Sequence, residues 1–352
     1  MGISAALGSS ALLPAGLGFR NKLINGDFRV AQRGTSFVSG ANNDDTYNLD
    51  RWTILSDGND VVDTTRATDA PTDGLYSIGL DVETANKKFG IIQFIEQQNI
   101  TGIQNKTVWL SFKAKTTGSS ISNVKAVVLS WTGTADTVTS DVVSAWGADG
   151  VTPTWATNWT AENTPANLNV TGSWADYRVE ALVDTASVKN LAVFIWCDDT
   201  STTVGDFLYI TNVQLEQNYQ PTPFEQRPIG VELQLCQRYY YRRYANDASL
   251  VTNASDNGYV QSANYARFGF IYPVTMRIAP TSIEYSGLII GGWGVGSTYT
   301  LTTLTRSGST ADSATLLGYA AGGGMTAGVI RMLIGDTAAG ASGYYLAVSA
   351  EL

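Results

Sequence analysis

Short runs in which apolar and polar residues alternate dominate the chain from Leu23 to about Gln226, with clusters of Gly, Asn, Asp, Ser and Thr between them. A period of two marks a strand with one buried and one wetter face. Val108–Lys115 puts Leu110, Phe112 and Ala114 on one side and Trp109, Ser111, Lys113 and Lys115 on the other. Asp176–Val183 groups Tyr177, Val179, Ala181 and Val183 against Arg178 and Glu180. Leu191–Cys197 is apolar on both sides, which predicts a central strand covered from both directions. Phe207–Glu216 opens as an apolar run and settles into alternation at Val213 and Leu215. Many short strands with Thr-rich turns predict an all-β chain, with a jelly-roll β-sandwich over residues 21–226.

Three prolines in Gln220–Pro228 punctuate the pattern. Beyond them Ile229, Leu233, Cys236, Tyr240 and Tyr244 recur at spacings of four, three, four and four, a helical stripe that starts where a proline belongs. This predicts a short helical neck over residues 227–246. Its aromatic-basic cluster, Tyr239–Tyr244, favours packing about a symmetry axis through Leu233, Cys236, Tyr240 and Tyr244. Residues 247–352 read as a second β-rich domain, since Tyr265–Tyr272 and Thr298–Leu304 alternate again. The glycine runs Gly287–Gly296 and Gly318–Gly328 lack the spacing of a phosphate loop and read as tight turns or close approaches of backbone. No repeat of about 20–50 residues is present, which argues against a solenoid, a propeller or a repeat-built β-helix.

Composition removes whole classes of chemistry. The 352 residues include no histidine and two cysteines, so His general bases, Ser-His-Asp triads, His-ligated metals, thiolate zinc sites and iron–sulfur clusters are excluded. A formal charge of −9 without a Lys/Arg block is unsuited to nucleic acid. Cys197 and Cys236 do not make a disulfide framework and read as buried thiols. Charged residues make up only 15%, against about 25% in an ordinary soluble domain.

Residues 1–20 are small, apolar and uncharged up to Arg20. They lack the positive n-region of a signal peptide, and Gly and Pro interrupt them well short of a membrane span. They read as an N-terminal docking arm, with Ile3, Leu7, Leu12, Leu13, Leu17 and Phe19 as its contact residues and no insertion into a membrane.

Five segments together carry a family likeness: Asn21–Gly34 (NKLINGDFRVAQRG) with LDRW ending at Trp52, TGSWADY ending at Tyr177, Ile210–Arg227 (ITNVQLEQNYQPTPFEQR), Glu232–Tyr240 and Tyr272–Thr281. This combination, covering roughly residues 20–285, resembles tail-fibre-like virion proteins of tailed bacteriophages and prophages. Their first domain is similar to galactose-binding-like jelly rolls, carbohydrate-binding modules among them. The resemblance implies a homotrimeric virion protein on the tail or capsid surface. It would attach to other virion proteins through its arm, and host-surface glycan is the implied ligand. The alternative is capsid decoration, or a fixed head-fibre or tail component that binds no glycan. Arg29 follows NGDF where enzyme-attached modules commonly carry an acid, which argues against calcium at that motif.

Most motif residues read as structural. Asn25-Gly26-Asp27 is a turn whose Asp27 carboxylate takes local backbone donors, Phe28, Trp52 and Trp174 fill the core, and Asp50 pairs with Arg51. Candidate glycan contacts are Trp109, Trp131, Trp146, Trp155 and Trp159. Trp109 lies on a wetter strand face, and the rest fall in or beside the Gly/Thr/Asp/Asn-rich stretch Thr132–Asn169. An indole face can stack on a pyranose while Asn and Asp bond its hydroxyls. Burial of these indoles within or between chains is the competing reading. Nothing among 31 acids singles out a catalytic pair, so the chain reads as no enzyme. No cofactor or metal is called for. Oxygen-only ligation leaves calcium open at the loop acids Asp44, Asp45, Asp198 and Asp199, none of them in EF-hand spacing.

Overall fold

The computed structural model describes residues 19–244, 253–291, 297–336 and 343–352. Strands come first in unbroken succession: β1 (Ser36–Phe37), β2 (Thr46–Tyr47), β3 (Thr53–Ser56), β4 (Val62–Ala67), β5 (Ser77–Val82), β6 (Phe89–Ile95) and β7 (Lys106–Thr116). They continue with β8 (Val124–Trp131), β9 (Val143–Ala145), β10 (Thr154–Trp155), β11 (Trp159–Ala161), β12 (Ala175–Val183), β13 (Asn190–Cys197) and β14 (Phe207–Gln217). Two six-stranded sheets result, β1-β4-β5-β14-β7-β12 and β11-β8-β13-β6-β3-β2. Alternate residues of both sheets fill the space between them: Val108, Leu110 and Phe112 from β7 meet Leu191, Val193 and Ile195 from β13. This is the all-β jelly-roll sandwich that the alternation predicts.

β13 is central in its sheet and buried along its whole length. Its other side, Ala192, Phe194 and Trp196, belongs to a second apolar layer outside the sandwich, with Leu55, Ile92, Phe94, Val127 and Leu129. Residues 132–163 fold over that outer face and cover it.

A lysine anchors one edge of this cover. Lys88 is completely buried, and its ammonium donates to the carbonyls of Trp146 (3.1 Å), Ala148 (2.6 Å) and Val151 (2.9 Å) and to Asp198 Oδ1 (2.7 Å). Lys125 Nζ stands 2.6 Å from the other Asp198 oxygen and donates to the Gly150 carbonyl. Two ammonium groups thus hold one carboxylate, and loop 146–151 is wound round them.

The helical stripe is realised only in part. Helix α1 covers Ile229–Gln237 and stops, and Tyr240–Tyr244 form strand β15. Tyr is a strong strand former, and the segment pairs residue by residue with β23 (Tyr345–Ser349), Tyr240 opposite Ser349 and Tyr244 opposite Tyr345. The expected helical neck over 227–246 is therefore corrected to a nine-residue helix and a strand. Cys236 and Tyr240 are buried inside the chain, Leu233 packs beside them, and the Tyr244 hydroxyl donates to the Gln32 carbonyl. The cluster joins the two domains of one chain, and the motive for placing it on a symmetry axis falls away.

The second domain adds β16 (Gly258–Ser262), β17 (Tyr265–Ile271), β18 (Ser282–Ser286), β19 (Leu288–Gly291), β20 (Tyr299–Ser309), β21 (Ser313–Ala320) and β22 (Ile330–Gly335). β16-β17-β21-β20-β19-β22 close a barrel, and β15-β23-β18 form a separate three-stranded sheet. Among the described residues no helix is long and apolar enough to cross a membrane.

The joint between the domains gathers the motif residues that the sequence scatters. Gly26 sits where a Cβ would stand 2.1 Å from the Val213 carbonyl oxygen, so only glycine fits the NGD turn. Asn25 takes a positive φ and bonds Val30 through both its amide oxygen and its amide nitrogen. Glu232 of α1 accepts from the Asn25 backbone N–H and from Arg227. Arg33 lies 3.6 Å from the Tyr240 ring centroid, and Arg51 lies 3.5 Å from that of Tyr239. Both guanidinium groups converge on the Glu351 carboxylate. Two local pairings expected above are thereby corrected. Arg51 pairs with Glu351 while Asp50 accepts from Gln32, and Asp27 accepts from Arg29 at 2.5 Å.

Candidate functional site

The two outer faces of the sandwich have opposite fates. Over the second sheet, Trp131 and Trp159 are 4% and 5% exposed, with ring centroids 5.1 Å apart. Their indole N–H groups donate to the Thr134 carbonyl and to Thr139. Trp146 and Trp155 pack edge-on against Phe194, and Trp155 also against Trp196. The polar residues between these tryptophans are loop positions, while the indoles point down onto the sheet. The expectation of open indoles is corrected for Trp131 and Trp159, because an apolar sheet face has to be covered. Trp146 and Trp155 are half-buried in the same layer.

Among the described residues the outer face of the first sheet has no such tryptophan cover, although Gln214 and Glu216 at one end are buried against Thr222 and Pro223; its pairing places five cross-strand rows side by side. Asp63, Asp81 and Phe207 form the first, and Thr65, Gly79, Tyr209 and Lys115 the second. Thr211, Lys113 and Asp176 follow, then Gln214, Ser111 and Arg178, then Glu216, Trp109 and Glu180. From Lys115 to Trp109 the face runs along seven residues of β7, about 20 Å.

Gly79 shapes the middle of this face. A Cβ there would stand 3.0 Å from the Tyr209 ring and 3.1 Å from Thr65 Oγ1, so the absent side chain lets the phenol lie down against the sheet. The Phe207 ring is parallel to it, centroids 5.3 Å apart. Trp174, expected in the core, is instead half-buried beside Tyr209 at 6.4 Å, because the turn before β12 carries it over the outer face. Its indole N–H donates to Asp69, and Asp69 also holds Lys115 at 2.5 Å. The Lys115 ammonium thus lies between two rings, 5.2 Å from Tyr209 and 5.6 Å from Trp174.

Next to the rings the face is a shallow groove. A cavity of about 290 Å³ lies between Lys113, Asp176, Arg178 and Asn212 and the wall Pro221–Phe224. Lys113 bridges Asp73 and Asp176, each at 3.4 Å. Burial, with Glu83 and Asp63 close by, pushes the Asp81 carboxyl up to about 6. Burial likewise raises Asp63, and the Tyr209 phenol is raised by burial and by Asp69 and Asp81.

Of the five tryptophans, Trp109 alone lies on this face, half-buried at the end away from Tyr209 with its indole nitrogen shielded from water. Sequence reasoning missed Phe207, Tyr209 and Trp174. The signal was present in Phe207–Ile210, where Phe and Tyr alternate with Leu and Ile, but the glycine beneath Tyr209 comes from a strand far off in sequence.

The loop acids are occupied. Asp198 is held by the two lysines, Asp199 accepts from Ser122 and Asn123, Asp45 from Ser140, and Asp44 from the Ser56 backbone N–H. Among the described residues no group of three or more Cys, Asp or Glu gathers as for a metal ion. Both cysteines are free and buried. Phe19 is 57% exposed, with the Arg227 guanidinium 5.3 Å from its ring, whereas Ile3, Leu7, Leu12, Leu13 and Leu17 lie outside the described residues.

Burial, offset in part by the Ser56 N–H, also pushes Asp44 up to about 6. Asp44 and Asp81 start from 3.8, so below about pH 6 the folded protein holds protons that the unfolded chain releases until about pH 4. Stability therefore rises as pH falls from 7 and passes a maximum at about pH 4. Below that, protonation of Asp69 and Asp206, both held low in the folded state, takes stability away. Melting temperature measured against pH should show this maximum, and Asp44→Asn should flatten its neutral side. A melting temperature that falls steadily from pH 7 to 5 would contradict the assignment.

No family model matches the chain, and no curated protein matches it. Solved structures do. One is the enzymatically active domain of bacteriophage CBA120 tailspike protein 4, at 19% identity and TM-score 0.35, covering 57% of this chain and 22% of that one. A second is a family 16 carbohydrate binding module, at 17% identity and TM-score 0.29, covering 45% and 86%. A third is the CBM22-1 xylan-binding domain from Paenibacillus barcinonensis, at 16% identity and TM-score 0.30, covering 48% and 87%.

Proposed function

We propose that the protein is a non-catalytic glycan-binding adhesin of tail-fibre type and that the outer face of its first sheet is the binding surface. One observation carries the reading: the chain seals one outer face with its own tryptophans, while on the other the described residues leave Phe207, Tyr209 and Trp174 only half-buried, grouped beside a polar groove. Flat rings among carboxylates, amides and hydroxyls suit the two sides of a sugar, its C–H face and its hydroxyl edge. The groove beside the rings, walled by Pro221–Phe224, lies open to water along the face, which supports binding over hydrolysis. The virion setting rests on the INGDF…QRG…DRW, TPFEQR and LCQRYY segments. Assembly as a homotrimer would multiply weak single-site affinities.

Tyr209→Ala removes the ring over Gly79 and should weaken binding of a bound oligosaccharide about tenfold. Its melting temperature should fall only modestly, since the half-buried ring packs on Phe207 and Trp174 outside the sandwich core. Trp155→Ala should do the reverse, lowering the melting temperature while leaving affinity intact. Glycan-array screening followed by calorimetric titration of the hits measures both. Unchanged affinity in Tyr209→Ala would remove this face as the site.

A further inference from the structure

The first row of the open face breaks a rule of sheet construction. Asp63 and Asp81 are directly opposite each other on β4 and β5, and like charges so placed destabilise a sheet. Among the described residues Asp63 accepts a side-chain hydrogen bond from Asn42 alone. Asp81 has no bond from any described residue, and its Oδ1 is shielded from water without a partner. Among the described residues no Lys or Arg pairs with either. One row away the same kind of surface does hold a cation: the Lys115 ammonium sits between Asp69 and the rings of Tyr209 and Trp174. Tyr209 therefore has a cation at one side and two uncompensated carboxylates at the other, with Phe207 directly across from Asp81.

We propose that this face reads a glycan carrying a free amino group, the sugar ring resting on Tyr209 and Phe207 and its ammonium entering between Asp63 and Asp81. The inference rests on the reading of the face as a glycan site and names the class of sugar that it takes. The ligand's ammonium repeats on one side of Tyr209 what Lys115 does on the other. Attraction to the ring faces and to two carboxylates acts together, and the repulsion between Asp63 and Asp81 is relieved when the ligand is bound. Glu83 lies near both carboxylates, but among the described residues no three acids gather closely enough to hold a metal ion, so a divalent ion is a poorer match. An N-acetylated sugar brings no charge and would leave the pair as it is.

The test is calorimetric titration of the whole chain at about pH 7 with three probes: a glucosamine tetramer, its fully N-acetylated counterpart, and cellotetraose. The amine tetramer should bind at least about tenfold more tightly than the acetylated one. Asp81→Asn should erase that difference while its melting temperature stays level or rises, since it removes a like-charge contact. A purely structural role for Asp81 would not separate affinity from stability in this direction. Equal binding of the amine and acetylated tetramers, or no measurable binding of the amine tetramer, overturns the proposal. Tyr209→Ala keeps the two readings apart. If it weakens the neutral probes while the amine preference is absent, the glycan site stands and the amine specificity fails. If it changes no probe that binds, the site itself fails.

Discussion

Lys88→Met should cost about 3–5 kcal/mol of stability, the usual penalty for removing one partner of a buried charge pair. The ammonium is completely enclosed and serves four acceptors. Without it, Asp198 keeps Lys125 and the Trp196 indole N–H, but the Trp146, Ala148 and Val151 carbonyls lose their common donor. A methionine fills the space and satisfies none of them. Urea unfolding should show the loss as a lower midpoint. Because Trp146 lies on the loop that the lysine holds, tryptophan fluorescence should shift before the global transition. A cost under about 1 kcal/mol would mean that water replaces the ammonium and that the cage is not closed.

Glu351→Ala should have an effect of similar size, about 3–5 kcal/mol, expressed at the joint. Arg51 is 1% exposed, the Arg33 side chain is 9% exposed, and Glu351 is the acid that meets both. Removing it strands two guanidinium groups against Tyr239, Tyr240 and Tyr47. Scanning calorimetry should then resolve two transitions where the unaltered protein gives a more cooperative one, the barrel domain separating from the sandwich. Glu351→Gln keeps acceptor geometry without the charge and should fall between. Coincident transitions in Glu351→Ala would show that the apolar contacts of Ile24, Val30, Cys236 and Tyr239 suffice to hold the domains together.

Where the sequence was legible, the reason is local. β7, β12 and β13 carry their burial in their own alternation, and each is buried as that alternation requires. The neck failed because the spacing from Ile229 to Tyr244 fits a helix as far as Cys236, while the pairing partner that turns Tyr240–Tyr244 into a strand lies about a hundred residues downstream. The tryptophans misled for a related reason. Gly, Thr, Asp and Asn around Trp146, Trp155 and Trp159 describe the loops, not the direction of the indoles. The clue lay elsewhere: β6, β8 and β13 are apolar on both sides and together demand a cover. The open face was hidden because its defining neighbours, Gly79 beneath Tyr209 and Asp63 beside Asp81, meet only once the strand order is known.

The contact between Arg51 and Glu351 spans 300 positions of the chain. During synthesis the sandwich can form long before its acid arrives, and until then it carries an unfilled notch lined by two guanidinium groups. The first half of the molecule is thus a folding unit with a vacant socket, and closing that socket is a late event with a long loop to close. Ribosome-bound or prematurely ended chains would display a cationic recess that the finished protein hides.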